Sequence, residues 1–419
     1  MAQSETDSYF PLARNINGYY FFNLFNNLAF WLPVYAIFFL RQGLDYSMLL
    51  ILYGIDTVVQ TILEIPSGLL ADRLGRRLSL MLAALAQAGG FLIIAFGNAL
   101  PWYMVGMALH GAALALASGA DSAIIYDSLL AAGQEGEFKK IEGRAYMYNL
   151  LGWGLGGLLG GLVATKSLVL PFALTGFSAL LAFFTAAMMT EPPRVQKSDE
   201  KRPKNTGMLI RQALRVVREK ASVRAIIVFA SIIIGLLLVA HKFSQPYLER
   251  ADINLEFFGV IYFGWLMFAA LSSRFSDQIE KYLGSTVYFL SLPVLSGIAL
   301  IYMWWWQNPY GAAIAVLYQF AWGSLRPQMF QIINAQVSSV QRATILSLVG
   351  FGSSLVYIVM VPITGFLSDR YDFPLALLII GLAIIIFGLG AGINLLTKIK
   401  GYQAGISGER PKATDSIIE

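Results

Sequence analysis

Gly68-Leu69-Leu70-Ala71-Asp72-Arg73-Leu74-Gly75-Arg76-Arg77 is a short polar bridge between two apolar runs, 48–70 and 78–96, each long enough to cross a hydrocarbon core. Gly75 suits a tight turn that a side chain would hinder, and Gly68 is expected to let two helices approach closely. Outward from this bridge, the rest of the 419-residue chain is 57% hydrophobic and 13% charged, with mean hydropathy +0.63. Soluble domains carry about 25% charged residues, so the apolar excess must face lipid and the backbone must be helical to satisfy itself there. There is no cysteine, which excludes disulfides, thiolate metal sites and cysteine nucleophiles. Two histidines, His110 and His241, are too few for a histidine-rich metal centre. The net charge of +5 sits in short loops and points to no nucleic-acid partner. The polar start, 1–14, is followed by no small-residue cleavage site, so the first apolar run is expected to be a retained anchor.

Apolar runs of about 20 residues predict twelve spans, at 17–40, 48–70, 78–96, 101–130, 144–165, 168–190, 225–247, 256–273, 285–306, 310–336, 343–367 and 374–396. They divide into a half over 1–190, a cytoplasmic linker over 191–224, a second half over 225–396 and a tail over 397–419. With both termini inside, 24 of the 30 Lys and Arg fall in cytoplasmic segments. Trp102 and Trp304-Trp305-Trp306 then fall at the outer interface. Within the linker, 208–218 places Arg211, Arg215 and Arg218 on one helical face, as in a basic amphipathic helix on an anionic leaflet or a solvated connector. An internal repeat supports two halves: Arg144-Ala145, Leu150, Gly152 and Gly154 recur 198 residues later as Arg342-Ala343, Leu348, Gly350 and Gly352. The loop 272–284 stands where the opening bridge stands in the first half, and Gly365–Arg370 is a look-alike on the outer side.

The bridge carries the pattern Gly-x-x-x-Asp-Arg/Lys-x-Gly-Arg/Lys-Arg/Lys at Gly68, Asp72, Arg73, Gly75, Arg76 and Arg77. In this the chain resembles the major facilitator superfamily of transporters, and 63–72, 118–127 and 342–347 look like its bacterial drug:proton antiporter-type members. The resemblance implies an all-α membrane protein with twelve transmembrane helices in two pseudo-symmetric six-helix halves. It also implies a charge relay from Arg76 to Asp127 at the inner gate, and a cavity lined by spans 1, 4, 7 and 10. Two departures weaken the antiport analogy. The arginine those antiporters carry in span 4 is Met107 here, with His110 in place of a glutamine before Gly111, and the Gly-Pro of span 5 is replaced by glycines without proline.

Ionisable groups inside spans are costly and mark functional positions. Asp56, Gln60, Glu64, Gly68 and Asp72 step by four along span 2, either as a functional stripe or as a hydrogen-bonding face toward a neighbour. His110 and Asp121 are eleven residues apart, about three turns, and so share one face of a continuous span 4. Asp56, Glu64, His110 and Asp121 are the proton-coupling candidates, because a carboxyl shielded from water can bind and release a proton within a cycle and histidine titrates near neutrality. The cavity candidates are Asn23, Asn27, Lys242, Gln319, Trp322 and Arg326. Asp121 is expected to pair with Arg326, leaving Lys242 with no such partner at its depth except Asp56, one span behind the cavity wall, and His241 is expected to pack as a neutral, hydrogen-bonded group.

The leading reading is a secondary transporter working by alternating access that exports a small amphipathic compound against protons. Its expected partners are a small-molecule substrate, protons and the bilayer of a bacterial inner membrane, with the chain a monomer. No cofactor or metal is expected, and no nucleophile–base motif or phosphate loop points to an enzyme. A transporter of an anionic metabolite, with Lys242 and Arg326 meeting the anion, and a non-transporting sensor with a transporter fold are the alternatives.

Overall fold

The computed structural model describes residues 11–193, 215–337 and 339–407, and among these the chain is helical without strands. The helices are α1 (Leu12–Asn26), α2 (Tyr35–Arg41), α3 (Tyr46–Leu74), α4 (Arg76–Phe96), α5 (Leu100–Ala117), α6 (Ala120–Ala131), α7 (Phe138–Ala164) and α8 (Val169–Met188). They continue as α9 (Ala221–Arg250), α10 (Phe258–Trp305), α11 (Tyr310–Ile314), α12 (Val316–Asn334), α13 (Ser339–Arg370) and α14 (Phe373–Ser407). The basic linker helix expected over 208–218 lies mainly outside the described residues.

By length and composition, nine described stretches can cross a membrane. One, Leu255–Trp305, runs 51 residues and is long enough for two crossings, with its helix interrupted at Gly284, φ 77°. Two expected runs fall outside the nine. The first is split between α1 and α2, and the tenth is split at Ala315 and diluted by Gln319, Arg326, Gln328 and Gln331. The expected loop 272–284 is instead helical up to Gly284, held by an Asp277–Lys281 pair at 2.6 Å one turn apart. Span 4 is also broken. Ser118 ends α5 and Gly119, φ 76°, turns the chain into α6, so the common face expected for His110 and Asp121 does not persist.

The chain forms two compact units, one of Met1–Glu200 with Ile253–Phe263, the other of Lys201–Asp252 with Gly264–Glu419. In the first, α4 packs on α5 and α8, α1 on α7 and α8, and α3 on α5. Its core includes Tyr19, Phe22, Leu80, Ile124, Ile125 and Leu129. A second cluster of rings, Tyr35, Phe38, Phe39, Tyr103 and Phe172, fills the opposite end of the unit. In the second unit, α9 packs on α13 and α14 around Phe229, Ile233, Tyr288 and Ile384.

The break between α1 and α2 follows from its chemistry. Pro33 offers no backbone donor and disfavours helix at Leu32. The carbonyls left over are taken by side chains: Ser178 donates to Phe25 O at 2.5 Å and Gln87 to Asn26 O at 2.6 Å. Gly152, Gly156 and Gly160, one turn apart on α7, let this segment lie directly on the helix. A Cβ at Gly152 would sit 2.6 Å from Leu24 O, and at Gly160 it would overlap the Phe30 carbonyl. Gly68 does not play this part. A Cβ there would meet no heavy atom of the described residues within 4 Å, whereas α7 carries close backbone approaches.

Gly160→Ala is therefore expected to destabilise the folded protein by about 1–3 kcal/mol through overpacking. Gly68→Ala, on an open helix face, should stay within about 0.5 kcal/mol of wild type. Thermal unfolding in one detergent reads both, and equal effects would contradict the packing described.

Candidate functional site

Gly75 joins α3 to α4 with φ 107°, and a Cβ there would lie 2.9 Å from the Glu191 carboxylate. That carboxylate accepts from the backbone amides of Arg76 and Arg77, each at 2.8 Å. It so caps two orphan donors at the positive end of α4. The Arg76 guanidinium reaches α6, with Nη1 2.5 Å from Asp127 Oδ2 and a bond to the Ala123 carbonyl. Arg77 Nη2 donates to Ala187 O, at the end of α8, at 2.5 Å. Beside them, Asn15 donates to Ser128 Oγ and Thr190 O, both at 2.8 Å, and accepts from the Thr190 amide at 2.7 Å. The bridge and the ends of α1, α6 and α8 are thus one polar network. Asp72 and Arg73 are exposed beside it.

Deeper in the same unit, Asp56 of α3 and His110 of α5 meet, with Oδ1 and Nδ1 3.0 Å apart and both side chains less than a fifth exposed. Gly111 makes the meeting possible, because any Cβ there would collide with the backbone of Asp56. Of the other proton-coupling candidates, Glu64 is exposed on α3. Asp121 opens α6, where its Oδ1 accepts from Ser122 N at 2.7 Å and its charge suits the helix N-terminus. It also lies near enough to Tyr19 and Glu142 to act on them electrostatically, and Tyr19 Oη donates to Glu142 Oε2 at 2.8 Å.

The cavity candidates divide. Asn23 and Asn27 are occupied in closing α1: Asn23 donates to Tyr19 O at 3.0 Å, Asn27 to Asn23 O at 2.8 Å, and Trp153 Nε1 to Asn27 Oδ1 at 2.9 Å. In the second unit Gln319 is buried, and Arg326 is exposed with its guanidinium 5.6 Å from the Phe330 ring centre. Lys242 is half-buried and engaged. His241 is wedged edge-on against Trp322 at 5.0 Å and Tyr318 at 5.4 Å, an aromatic setting rather than the hydrogen-bonded one expected.

Glu191, Asn15 and Glu142 were not among the sequence candidates. Glu191 had a signal in retrospect: it is the acidic residue directly after an apolar run that ends on the same side as the three arginines. Asn15 and Glu142 sit near helix starts, where polar residues are ordinary, and nothing in their spacing singles them out.

The sequence model of the Major Facilitator Superfamily matches residues 19–355. This chain belongs to that superfamily. Over 298 residues it is 21% identical to the quinolone resistance protein NorA of Staphylococcus aureus (strain MSSA476), covering 70% of this chain and 74% of NorA. It is 20% identical over 271 residues to the MFS-type transporter YxaM of Bacillus subtilis (strain 168), covering 63% of this chain and 67% of YxaM. Among solved structures, the nucleoside transporter NupG superposes with TM-score 0.71 at 14% identity, over 93% of this chain and 99% of NupG. Family and fold are therefore those of multi-pass membrane transporters of small molecules.

Asp127→Ala is expected to cost about 1–3 kcal/mol of stability, since it leaves the Arg76 charge partly buried without its carboxylate. Adding Arg76→Gln should restore part of the loss. A double-mutant cycle by thermal unfolding that shows strict additivity would mean that the ion pair contributes nothing.

Proposed function

We propose that this transporter exports small amphipathic compounds by alternating access, driven by protons that enter and leave through the Asp56–His110 pair. The observation that carries the reading is that pair. A carboxylate and an imidazole in contact between two membrane helices hold one shared proton with no net charge, and when that proton leaves, the remaining carboxylate can still accept a hydrogen bond from the neutral imidazole N–H. Histidine is the side chain whose ordinary titration spans pH 5 to 8, so the pair is suited to bind a proton on one side and release it on the other. The relationship to NorA, whose name records quinolone resistance, supports export of an amphipathic substrate. The excess of Lys and Arg in alternate loops supports a bacterial inner membrane with both termini cytoplasmic.

The bridge 68–77 is the proposed inner gate. Arg76–Asp127 and the Glu191 clamp fix the start of α4, while exposed Asp72 is left to make and break its contacts during the cycle. Asp72→Asn should slow turnover more than it weakens substrate binding. The alternative, a transporter of an anionic metabolite met by Lys242 and Arg326, has no comparable pair of titrating groups behind it.

The test is uptake of a fluorescent amphipathic substrate into proteoliposomes with and without an imposed pH gradient. Wild type should respond to the gradient. Asp56→Asn and His110→Gln should each lose the gradient-driven component, to near the level of empty vesicles, and still bind substrate. Full gradient-driven transport in both variants would refute the assignment.

A further inference from the structure

The residues 27–34 between α1 and α2 are not helical, yet they are held from three directions. Trp153 of α7 donates to Asn27 Oδ1 at 2.9 Å, at the start of the segment. Gln87 and Ser178 hold the last carbonyls of α1. From the middle of the segment, Trp31 meets His110 in a T-shaped arrangement, with ring centroids 5.8 Å apart and planes at 74°. Phe91 of α4 touches both rings, at 5.5 Å from Trp31 and 5.0 Å from His110. Tyr35, which opens α2, meets Trp31 at 5.2 Å and donates to Met107 Sδ, one turn before His110. The unwound segment is therefore the third wall of the Asp56–His110 pair.

We propose that Trp31 is a positioning residue through which the charge state of the Asp56–His110 pair sets the placement of the unwound segment 27–34. The proposal rests on the proton-driven reading above and names the element that the proton moves. The physical asymmetry is clear. A charged imidazolium is attracted to Asp56 and polarises the π-systems of Trp31 and Phe91 within about 6 Å of it, whereas the neutral ring makes only ordinary aromatic contacts. Asp56 is the only acidic group in ion-pair range of His110 among the described residues. The remaining faces are Phe91 from α4, Trp31 from the segment, and the Tyr35 phenol beyond it. A proton that arrives at the pair thus strengthens its hold on Trp31, and its departure releases that hold. Because residues 27–34 are not tied into a continuous helix, such a change is carried by a few backbone dihedrals rather than by bending a whole span.

The experiment is 19F NMR of the full chain labelled with 5-fluorotryptophan, in lipid nanodiscs, with Trp31→Phe and Trp153→Phe assigning the two resonances. Trp153 touches the segment through Asn27 and serves as a second, remote reporter. Both resonances are expected to move together between pH 5 and 8. Both should be still in His110→Gln. If Trp31 moves alone, it senses nearby charge without moving the segment, and the proposal is overturned. If neither moves, or both move equally in His110→Gln, it is overturned as well. The outcome separates from that of the transport reading. Silent tryptophans alongside intact gradient-driven export sink only this proposal, whereas joint titration without any gradient-driven export sinks only the proton-driven reading.

Discussion

A carboxylate and an imidazole 3.0 Å apart in a membrane helix bundle are tolerable only as a pair, and much of the first unit is arranged to keep them so. Alone, either charge would face a desolvation cost of several kcal/mol. Together they need two helices in backbone contact at one level, and Gly111 against Asp56 supplies that. They also need a dry surround, which Trp31, Phe91 and the ring cluster around Tyr35 and Phe172 provide. The same requirement accounts for the broken first span. A continuous helix over 12–41 would place its residues at fixed helical azimuths, whereas the unwound stretch delivers Trp31 onto the pair.

At the bridge the problem is different and so is the solution. Arg76 and Arg77 stand at the positive end of α4, where cations are disfavoured by the helix dipole. Glu191 offsets this by taking both backbone amides, which leaves the guanidinium groups to reach outward to Asp127 and Ala187. One acidic residue thereby converts an unfavourable helix start into a junction of three helices. Asp72 is exposed beside that junction, and this is why it, rather than Arg76, is the proposed moving part of the gate.

Helical runs, their order and the bridge were legible because lipid demands long apolar stretches and a bare turn demands glycine. The breaks were not. Residues 27–34 are almost wholly apolar, so hydropathy runs through them unmarked, and only Pro33 and the Asn26-Asn27 pair hint at the interruption. Gly119 likewise hides inside span 4 and removes the shared face that a continuous helix would give His110 and Asp121. Glycine was weighed at the wrong place. Gly68 belongs to the recognisable pattern but lies open among the described residues, whereas Gly152, Gly156 and Gly160, marked mainly by the absence of a proline, carry the close backbone contact with the first span. Asp56 and His110 were legible singly, as buried ionisable groups. Their pairing was not, since nothing in the sequence places α3 against α5 at that level.

The central claim is that protons and substrate share one cycle through Asp56 and His110, and linkage requires the coupling to run in both directions. The most direct measurement is proton movement driven by substrate alone. Proteoliposomes with a trapped pH-sensitive dye are placed in an outward gradient of an amphipathic substrate with no initial pH difference. In wild type the substrate flux should drive protons the opposite way, a protonophore should erase the pH change, and Asp56→Asn should carry substrate without moving protons. Substrate flux in wild type with no change in internal pH would contradict the account.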